Sequence, residues 1–315
     1  MTETGPLFVS SGDLVSDRRY KAAVELAARG DFVAAVDVLM QTVEAAPGFA
    51  TAWFALGAIR ERLGDRDGAV TAFRAASRAD PADYHGARLQ LERLGAGTGQ
   101  PAMTEPYIRR LFDQYAGRYD AALTENLHYR GPALLLDAVK AGLERLGRPM
   151  RFESLLDLGC GTGLAGQVFR PFAGRLVGVD LSAAMIARAD AKGDYDRLVV
   201  GNLGAVLSDE IAKAAKYDLV LAADVFVYVS DLAPVFGDVA RVLAPRGVVA
   251  FTVETHSGSG IALLPTLRFA HSEAYLREII AAAGLKFLAR EAAAIRTEQG
   301  APVDGLVVVA TSARA

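Results

Sequence analysis

The feature that most constrains this chain is the run Leu155-Leu-Asp-Leu-Gly159-Cys-Gly161-Thr-Gly163. An apolar stretch reads as a strand, and three glycines at alternate positions remove side chains where the backbone must turn tightly. The N–H groups that open the following helix can then receive a carboxylate or a phosphate. Dinucleotide enzymes use a related turn, but theirs is spaced G-x-G-x-x-G. Here the sixth position is Leu164, and the third glycine falls one residue earlier to give G-x-G-x-G. Asp157 stands just before the turn, an acid inside an otherwise apolar run.

The residues around this turn alternate between two periodicities. Strands are expected at Leu155–Leu158, Leu176–Val179, Leu198–Val200, Leu219–Ala222, Val248–Val253, Phe287–Ala289 and Leu306–Ala310. Several are unbroken apolar runs, as parallel strands covered on both faces should be. Helices are expected between them, at Leu164–Phe172, Ala183–Ala191, Ser208–Ala215, Leu232–Leu243 and Ser272–Ala283. The alternation predicts an α/β doubly wound sheet. Asp180 ends the second strand 21 residues after Gly159, where a carboxylate can accept two hydrogen bonds from a ribose diol.

The N-terminal third is different. From residue 16 to 95 the apolar positions recur at helical spacing, and the punctuation repeats: Gly30 and Gly64, Asp31 and Asp65, Ala35 and Ala69, Pro47 and Pro81 are each 34 residues apart. That period resembles the tetratricopeptide repeat, and Trp53, Leu56, Gly57, Ala69, Phe73 and Pro81 follow its pattern, although Arg60 stands where it has tyrosine. Small Gly57 and Ala69 would let two helices approach, with Phe73 between them. A last helix is expected over Asp83 to Leu94. Residues 1–15 are expected to be disordered, 96–103 to form a Gly/Pro-rich linker, and 104–315 to be the second domain.

Taken in order, the glycine turn and the acid after the second strand resemble the class I S-adenosylmethionine-dependent methyltransferases, with their Rossmann-like seven-stranded sheet. The resemblance implies that S-adenosylmethionine lays its methionine end against Gly159, Cys160, Gly161, Thr162 and Gly163, and leaves as S-adenosylhomocysteine. Asp157 would accept from its ammonium, Asp180 would hold the ribose, and Leu181 and Met185 would flank the adenine. Asn202 and Leu203 would meet the adenine edge after the third strand. Ala223 and Asp224 would border the cofactor after the fourth, where the chain lacks the Asn/Asp-Pro-Pro-Tyr of enzymes that methylate exocyclic adenine or glutamine nitrogens. The stretch Phe112-Asp-Gln-Tyr115-Ala-Gly-Arg-Tyr119-Asp120 resembles the lid helix that precedes the core in many small-molecule methyltransferases. Tyr115 and Tyr119, four apart, should share one helix face. The whole chain resembles a bacterial family of repeat-containing methyltransferases.

Methyl transfer needs an acceptor atom aligned with the methyl group and relieved of its proton. The expected bases are His271 and His256, with Tyr228 beside them, because unperturbed imidazoles are mostly neutral near pH 7. Asp224 and Glu254 are the alternatives, and Arg268 and Tyr275 share the same strand ends. Cys160 lies inside the glycine turn, where a small side chain lines the cofactor rather than attacking a substrate.

Composition closes off other classes. The 315 residues are 52% hydrophobic and 23% charged, with one cysteine, four histidines and a net charge of −3. No basic field favours nucleic acid, no His/Cys spacing suits a metal, and no apolar run approaches the roughly 18 residues of a membrane span. The first twenty residues lack the pattern of a secretory signal, so a cytoplasmic protein is expected. Three functions follow: a methyltransferase acting on the O or N of a small molecule, a protein methyltransferase whose repeats recruit a partner or a second copy, and a cofactor-binding scaffold. A nicotinamide dehydrogenase is disfavoured by the glycine spacing.

Overall fold

The computed structural model describes residues 7–99, 103–121, 129–298 and 300–313. The chain divides into two units, Met1–Tyr107 with Pro265–Leu267, and Ile108–Leu264 with Arg268–Ala315.

In the first unit the 34-residue repeat of the sequence becomes a repeat of helix ends. Helices α1 (Leu14–Ala28), α2 (Phe32–Ala45), α3 (Ala50–Arg62), α4 (Arg66–Ala79) and α5 (Ala87–Arg93) follow one another, each packed on the next. Gly30 and Gly64 take positive φ (85° and 80°) after α1 and α3. Asp31 and Asp65 then cap α2 and α4 through the N–H groups of Ala34 and Gly68. Leu39, Leu56, Ala69 and Phe73 are fully buried. A Cβ on Gly57 would lie 2.8 Å from the Phe73 ring, so this close approach requires glycine.

Two expectations for this unit are corrected. Residues 7–15 are ordered, because Asp17 accepts from the N–H of Ser11 at 2.8 Å and from the Ser10 hydroxyl, and Asp13 caps α1. Residues 1–6 of the expected disordered stretch, and 100–102 of the expected linker, lie outside the described residues. The helix expected from Asp83 begins only at Ala87, because Asp83 turns left-handed (φ 56°) and its buried carboxylate accepts the Ala87 N–H at 2.7 Å.

The second unit starts within α6 (Glu105–Tyr115), a 3-10 turn at Ala116–Arg118, and α7 (Tyr119–Ala121), followed by α8 (Gly131–Arg145). Strands β1 (Phe152–Leu158), β2 (Ala173–Asp180), β3 (Arg197–Val200), β4 (Tyr217–Ala222) and β5 (Leu243–Glu254) lie parallel in the order β3-β2-β1-β4-β5. Helices α9 (Leu164–Phe169), α10 (Ala183–Lys192), α11 (Leu203–Ala212) and α12 (Ala233–Val242) connect them. After β5 come β6 (Ile261–Leu263), β7 (Phe269–His271), α13 (Glu273–Ala282), β8 (Leu285–Glu298) and β9 (Ala301–Ser312). β9 runs antiparallel to β5, and β8 to β9.

The sheet therefore has nine strands among the described residues rather than seven, because the short β6–β7 hairpin attaches at the end of β5 (Glu254 opposite Ala270). Three-residue strands are too short to carry a readable alternation, which is why the sequence hides them. The helix expected at Ser208–Ala215 is instead α11, started early by the Asn202 cap.

Alternate residues of each strand supply opposite faces of the sheet. Leu156, Val177, Val220 and Phe251 join one core, and Leu155, Leu176, Leu219 and Val248 join the other. Phe226, Phe236 and Phe251 meet with ring centroids 5.0–5.8 Å apart on the first face. Each such buried ring contributes about 1.5–3 kcal/mol. The order reverses between β1 and β4, and the cleft at their carboxyl ends is the switch point of the sheet. No helix among the described residues is long and apolar enough to cross a membrane.

Candidate active site

The glycine turn bends directly off β1. Gly159, Gly161 and Gly163 all have positive φ (65°, 53° and 92°), and the Cys160 N–H is held by the Val179 carbonyl at 2.9 Å. The glycines differ in what they make room for. A Cβ on Gly159 would lie 2.5 Å from Val225, whereas at Gly161 it would meet only Tyr119, at 3.8 Å. Gly161 thus faces a cleft lined by Tyr119, Tyr129, Pro132, Asp157, Gly159, Cys160, Gly161, Thr162, Leu164, Ala165 and Ala223.

Two acids border the turn. Asp157 is fully buried; its Oδ2 accepts from the Tyr195 hydroxyl at 2.6 Å, and its Oδ1 has no partner. Burial pushes its carboxyl up to about 7, with Asp180 adding to the rise and the Tyr195 hydrogen bond opposing it. Asp180 accepts the Gly161 N–H at 2.9 Å and the Ser182 N–H at 2.8 Å. Burial raises its carboxyl as well, against those two hydrogen bonds.

The residues expected around an adenine divide. Leu181 is half-buried beside Asp180, while Met185 is only 1% exposed and belongs to the core. Asn202 is exposed, and its side-chain oxygen caps α11 through the N–H groups of Gly204 (2.8 Å) and Ala205 (3.3 Å). Only its NH2 remains for a ligand. Leu203 packs on the core beneath. The Cys160 thiol is buried, which pushes its pKa well up and keeps it protonated.

The lid stretch is not one helix. α6 ends at Tyr115 and a 3-10 turn follows, so Tyr115 and Tyr119 do not share a helix face, although their rings still meet edge-on at 5.6 Å. Tyr119 lines the cleft and Tyr115 does not. Phe112 meets Tyr228 edge-on at 5.1 Å. The two acids of the motif itself tie this stretch down. Asp113 accepts from the Ser182 hydroxyl, and Asp120 accepts from the Thr162 hydroxyl while pairing with Lys192 at 2.7 Å.

The two histidines do not reach the cleft lining. His271 is fully buried; its Nε2 donates to the Ser230 carbonyl at 2.9 Å, its ring stacks on Tyr275, and burial lowers its pKa. His256 closes its own loop, with Nδ1 accepting from the Gly258 N–H (3.1 Å) and Nε2 donating to the Gly260 carbonyl (3.2 Å). Tyr275 bridges Asp231 and the Leu232 N–H. Tyr228 lies in the turn after β4, where burial and the nearby Asp224 carboxylate push its phenol well up.

Asp224, next to Ala223 of the lining, has a left-handed backbone (φ 59°) unusual for a residue with a side chain, and its N–H donates to the Thr252 hydroxyl at 2.8 Å. Its carboxylate pairs with Arg296 at 2.5 Å. Arg296 also pairs with Glu254, which takes Arg268 at 2.6 Å, and Arg268 reaches Glu298. Arg296, Arg268 and Glu254 are each under 5% exposed. Charges removed from water this completely need their partners. The sequence carried no sign of Arg296, which lies where the register of β8 shifts between Ala294 and Thr297.

Residues 156–249 match the family model of a methyltransferase domain. A ubiquinone biosynthesis O-methyltransferase of Rhodopseudomonas palustris is 29% identical over 109 residues, 35% of this chain and 43% of that protein. A malonyl acyl-carrier protein O-methyltransferase of a Methylovorus species is 31% identical over 154 residues, 46% of this chain and 49% of its own length. The chain thus spans less than half of these curated relatives. Among solved structures, the 4+2 cyclase SpnF aligns with a TM-score of 0.54 at 16% identity, over 68% of this chain and 99% of that one, a likeness of fold. Residues 156–249 are thus similar to a methyltransferase domain and lie in a doubly wound α/β sheet.

Proposed function

We propose that this chain is an S-adenosylmethionine-dependent methyltransferase acting on an oxygen or nitrogen of a small molecule. The observation that carries the reading is Asp157, a fully buried carboxylate with one unpartnered oxygen, lining a cleft whose floor is glycine backbone. An acid in that position calls for a cationic ligand group, and the ammonium of the cofactor supplies one. Gly159–Gly163 offer backbone to its methionine end, Asp180 to the ribose, and Leu181 to the adenine. When bound, the cofactor supplies a methyl group on sulfonium sulfur; the S–CH3 bond breaks as an O–CH3 or N–CH3 bond forms, and the acceptor's proton must leave.

Asp224 is our choice for that proton. It stands at the end of β4 beside the cleft, oriented by Arg296. Tyr228 keeps its proton near neutral pH and suits hydrogen bonding to the acceptor. His256 and His271 are both committed to backbone carbonyls through Nε2. We read the first unit as tetratricopeptide-like repeats serving stability or self-association in a cytoplasmic enzyme.

Calorimetry on the full chain tests the reading. S-adenosylmethionine and S-adenosylhomocysteine should bind and NADH should not. Binding of NADH alone would restore the dehydrogenase alternative, and binding of neither methyl-cofactor form would end the proposal.

A further inference from the structure

We infer that Tyr195 is a positioning residue for the cofactor: its phenol holds the Asp157 carboxylate in the ionised form that grips the ligand's ammonium, so cofactor affinity rises with pH as Asp157 ionises. The inference rests on the functional reading above and deepens it.

The packing around Tyr195 is unusually specific. It lies in the bend between α10 and β3, and its ring fills space that three separate elements leave open by having glycine. A Cβ would meet that ring at 3.1 Å from Gly163 in the turn, 2.4 Å from Gly166 in α9, and 2.8 Å from Gly178 in β2. The third glycine of the motif therefore leaves room for Tyr195. The bend is fixed to the edge of β2: the Asp196 N–H donates to the Leu176 carbonyl at 2.9 Å, and the Asp196 carboxylate accepts the Leu176 N–H at 2.6 Å and Arg170 at 2.7 Å. A phenol held this rigidly delivers its proton to one point, Asp157 Oδ2, 2.6 Å away.

The titratable groups facing Asp157 are Asp180 from β2, Cys160 from the turn, Tyr129 ahead of α8 and Tyr195. Asp180 disfavours a second negative charge, and burial does so more strongly; the Tyr195 hydroxyl is the side-chain hydrogen bond that favours it. The balance leaves the ligand-free carboxyl titrating at about 7. A ligand cation that binds only the ionised form loses roughly tenfold in affinity for each pH unit below that value, and binding releases a proton. Replacing the hydroxyl by hydrogen removes the stabilising bond, raises the pH at which Asp157 ionises, and moves the whole affinity profile to higher pH.

The test is calorimetric titration of S-adenosylhomocysteine into the full-length protein and its Tyr195→Phe variant from pH 5.5 to 8.5. The variant keeps the ring that fills the glycine space. The wild type should bind roughly tenfold more weakly at pH 6 than at pH 8. The variant should bind at least about fivefold more weakly than wild type at pH 7 and recover toward pH 8.5. A pH-independent wild type, or a variant whose profile keeps the wild-type midpoint, overturns the inference while leaving cofactor binding intact. Absence of binding at every pH defeats the functional reading and this inference with it. If the variant does not fold, wild-type titrations at pH 6 in two buffers of different ionisation enthalpy decide: about one proton released per ligand supports the inference, and none overturns it.

Discussion

Two polar clusters stand behind the cleft lining, one joined to it through Asp157 and Gly161 and the other through Ala223, and these two walls are built by different means. The glycine-turn wall draws Asp157, Gly161, Asp180 and Tyr195 from within 39 residues of sequence, and most of its hydrogen bonds run to backbone N–H groups. The wall behind Ala223 brings Asp224 to Arg296 across 72 residues and Glu254 to Arg296 across 42, through buried ion pairs between side chains. The first wall depends on backbone shape, which nearby residues dictate. The second depends on charge pairing that only the finished sheet brings together. Substitutions in the first should therefore change ligand affinity, and those in the second should change stability and turnover.

The largest contrast is expected inside the turn itself. Gly161→Val should cost S-adenosylhomocysteine at least about 100-fold in affinity, because its side chain would enter the cleft, while left-handed strain of about 1–2 kcal/mol lowers Tm by roughly 2–8 °C. Gly159→Ala should instead act mainly on the fold, since its Cβ would drive into Val225, an overpacking cost of about 1–3 kcal/mol. Calorimetry and thermal melts on the pair decide the matter. Retained binding in the Gly161 variant would mean that the ligand lies elsewhere.

In the cluster behind Ala223, Arg296→Met should destabilise by about 3–5 kcal/mol in urea denaturation, because Asp224 and Glu254 would be left buried without their shared partner. Ligand affinity of the folded variant should stay unchanged. A more stable variant would show that desolvation outweighs pairing in this network.

A smaller effect is expected at Asp180, where the two walls come closest in character. Asp180→Ala removes a charged acceptor worth roughly 1.5–3 kcal/mol, so S-adenosylhomocysteine should bind about 10- to 150-fold more weakly. Unchanged affinity would confine Asp180 to holding the Gly161 and Ser182 N–H groups.

The smallest effect should come from His256→Ala, which ought to leave turnover within about twofold on an acceptor found by screening, whereas Asp224→Asn lowers it about 10²–10⁴-fold. A comparable loss in the histidine variant would return the proton to His256 and remove the distinction drawn here between the walls.

What could be read beforehand follows the same division. Asp157, the three glycines and Asp180 were legible because a strand, a turn and a helix start are local events, and each residue type answers a local need. The β6–β7 hairpin was not, since three residues per strand leave no period to detect. The partners of the histidines were not legible either, because a residue type suited to the chemistry says nothing about where its nitrogens point; both donate through Nε2 to backbone carbonyls. Tyr195 was invisible as a functional residue, although the glycines that accommodate it at 163, 166 and 178 were in plain view.

The sequence by itself determined the alternating strands and helices, the helix ends at Asp31 and Asp65, the position of the glycine turn and the acid that follows β2. Backbone preference and periodicity fix these within a few residues of chain. Only the tertiary structure decided which side chains meet: that Tyr195 braces Asp157, that Arg296 joins two strand ends, that the Asn202 oxygen caps a helix, and that both imidazoles donate to backbone carbonyls. Burial is the reason. Once strands distant in sequence stack and exclude water, each polar atom must take whatever partner the fold brings within reach, and that choice is made by packing rather than by spacing along the chain.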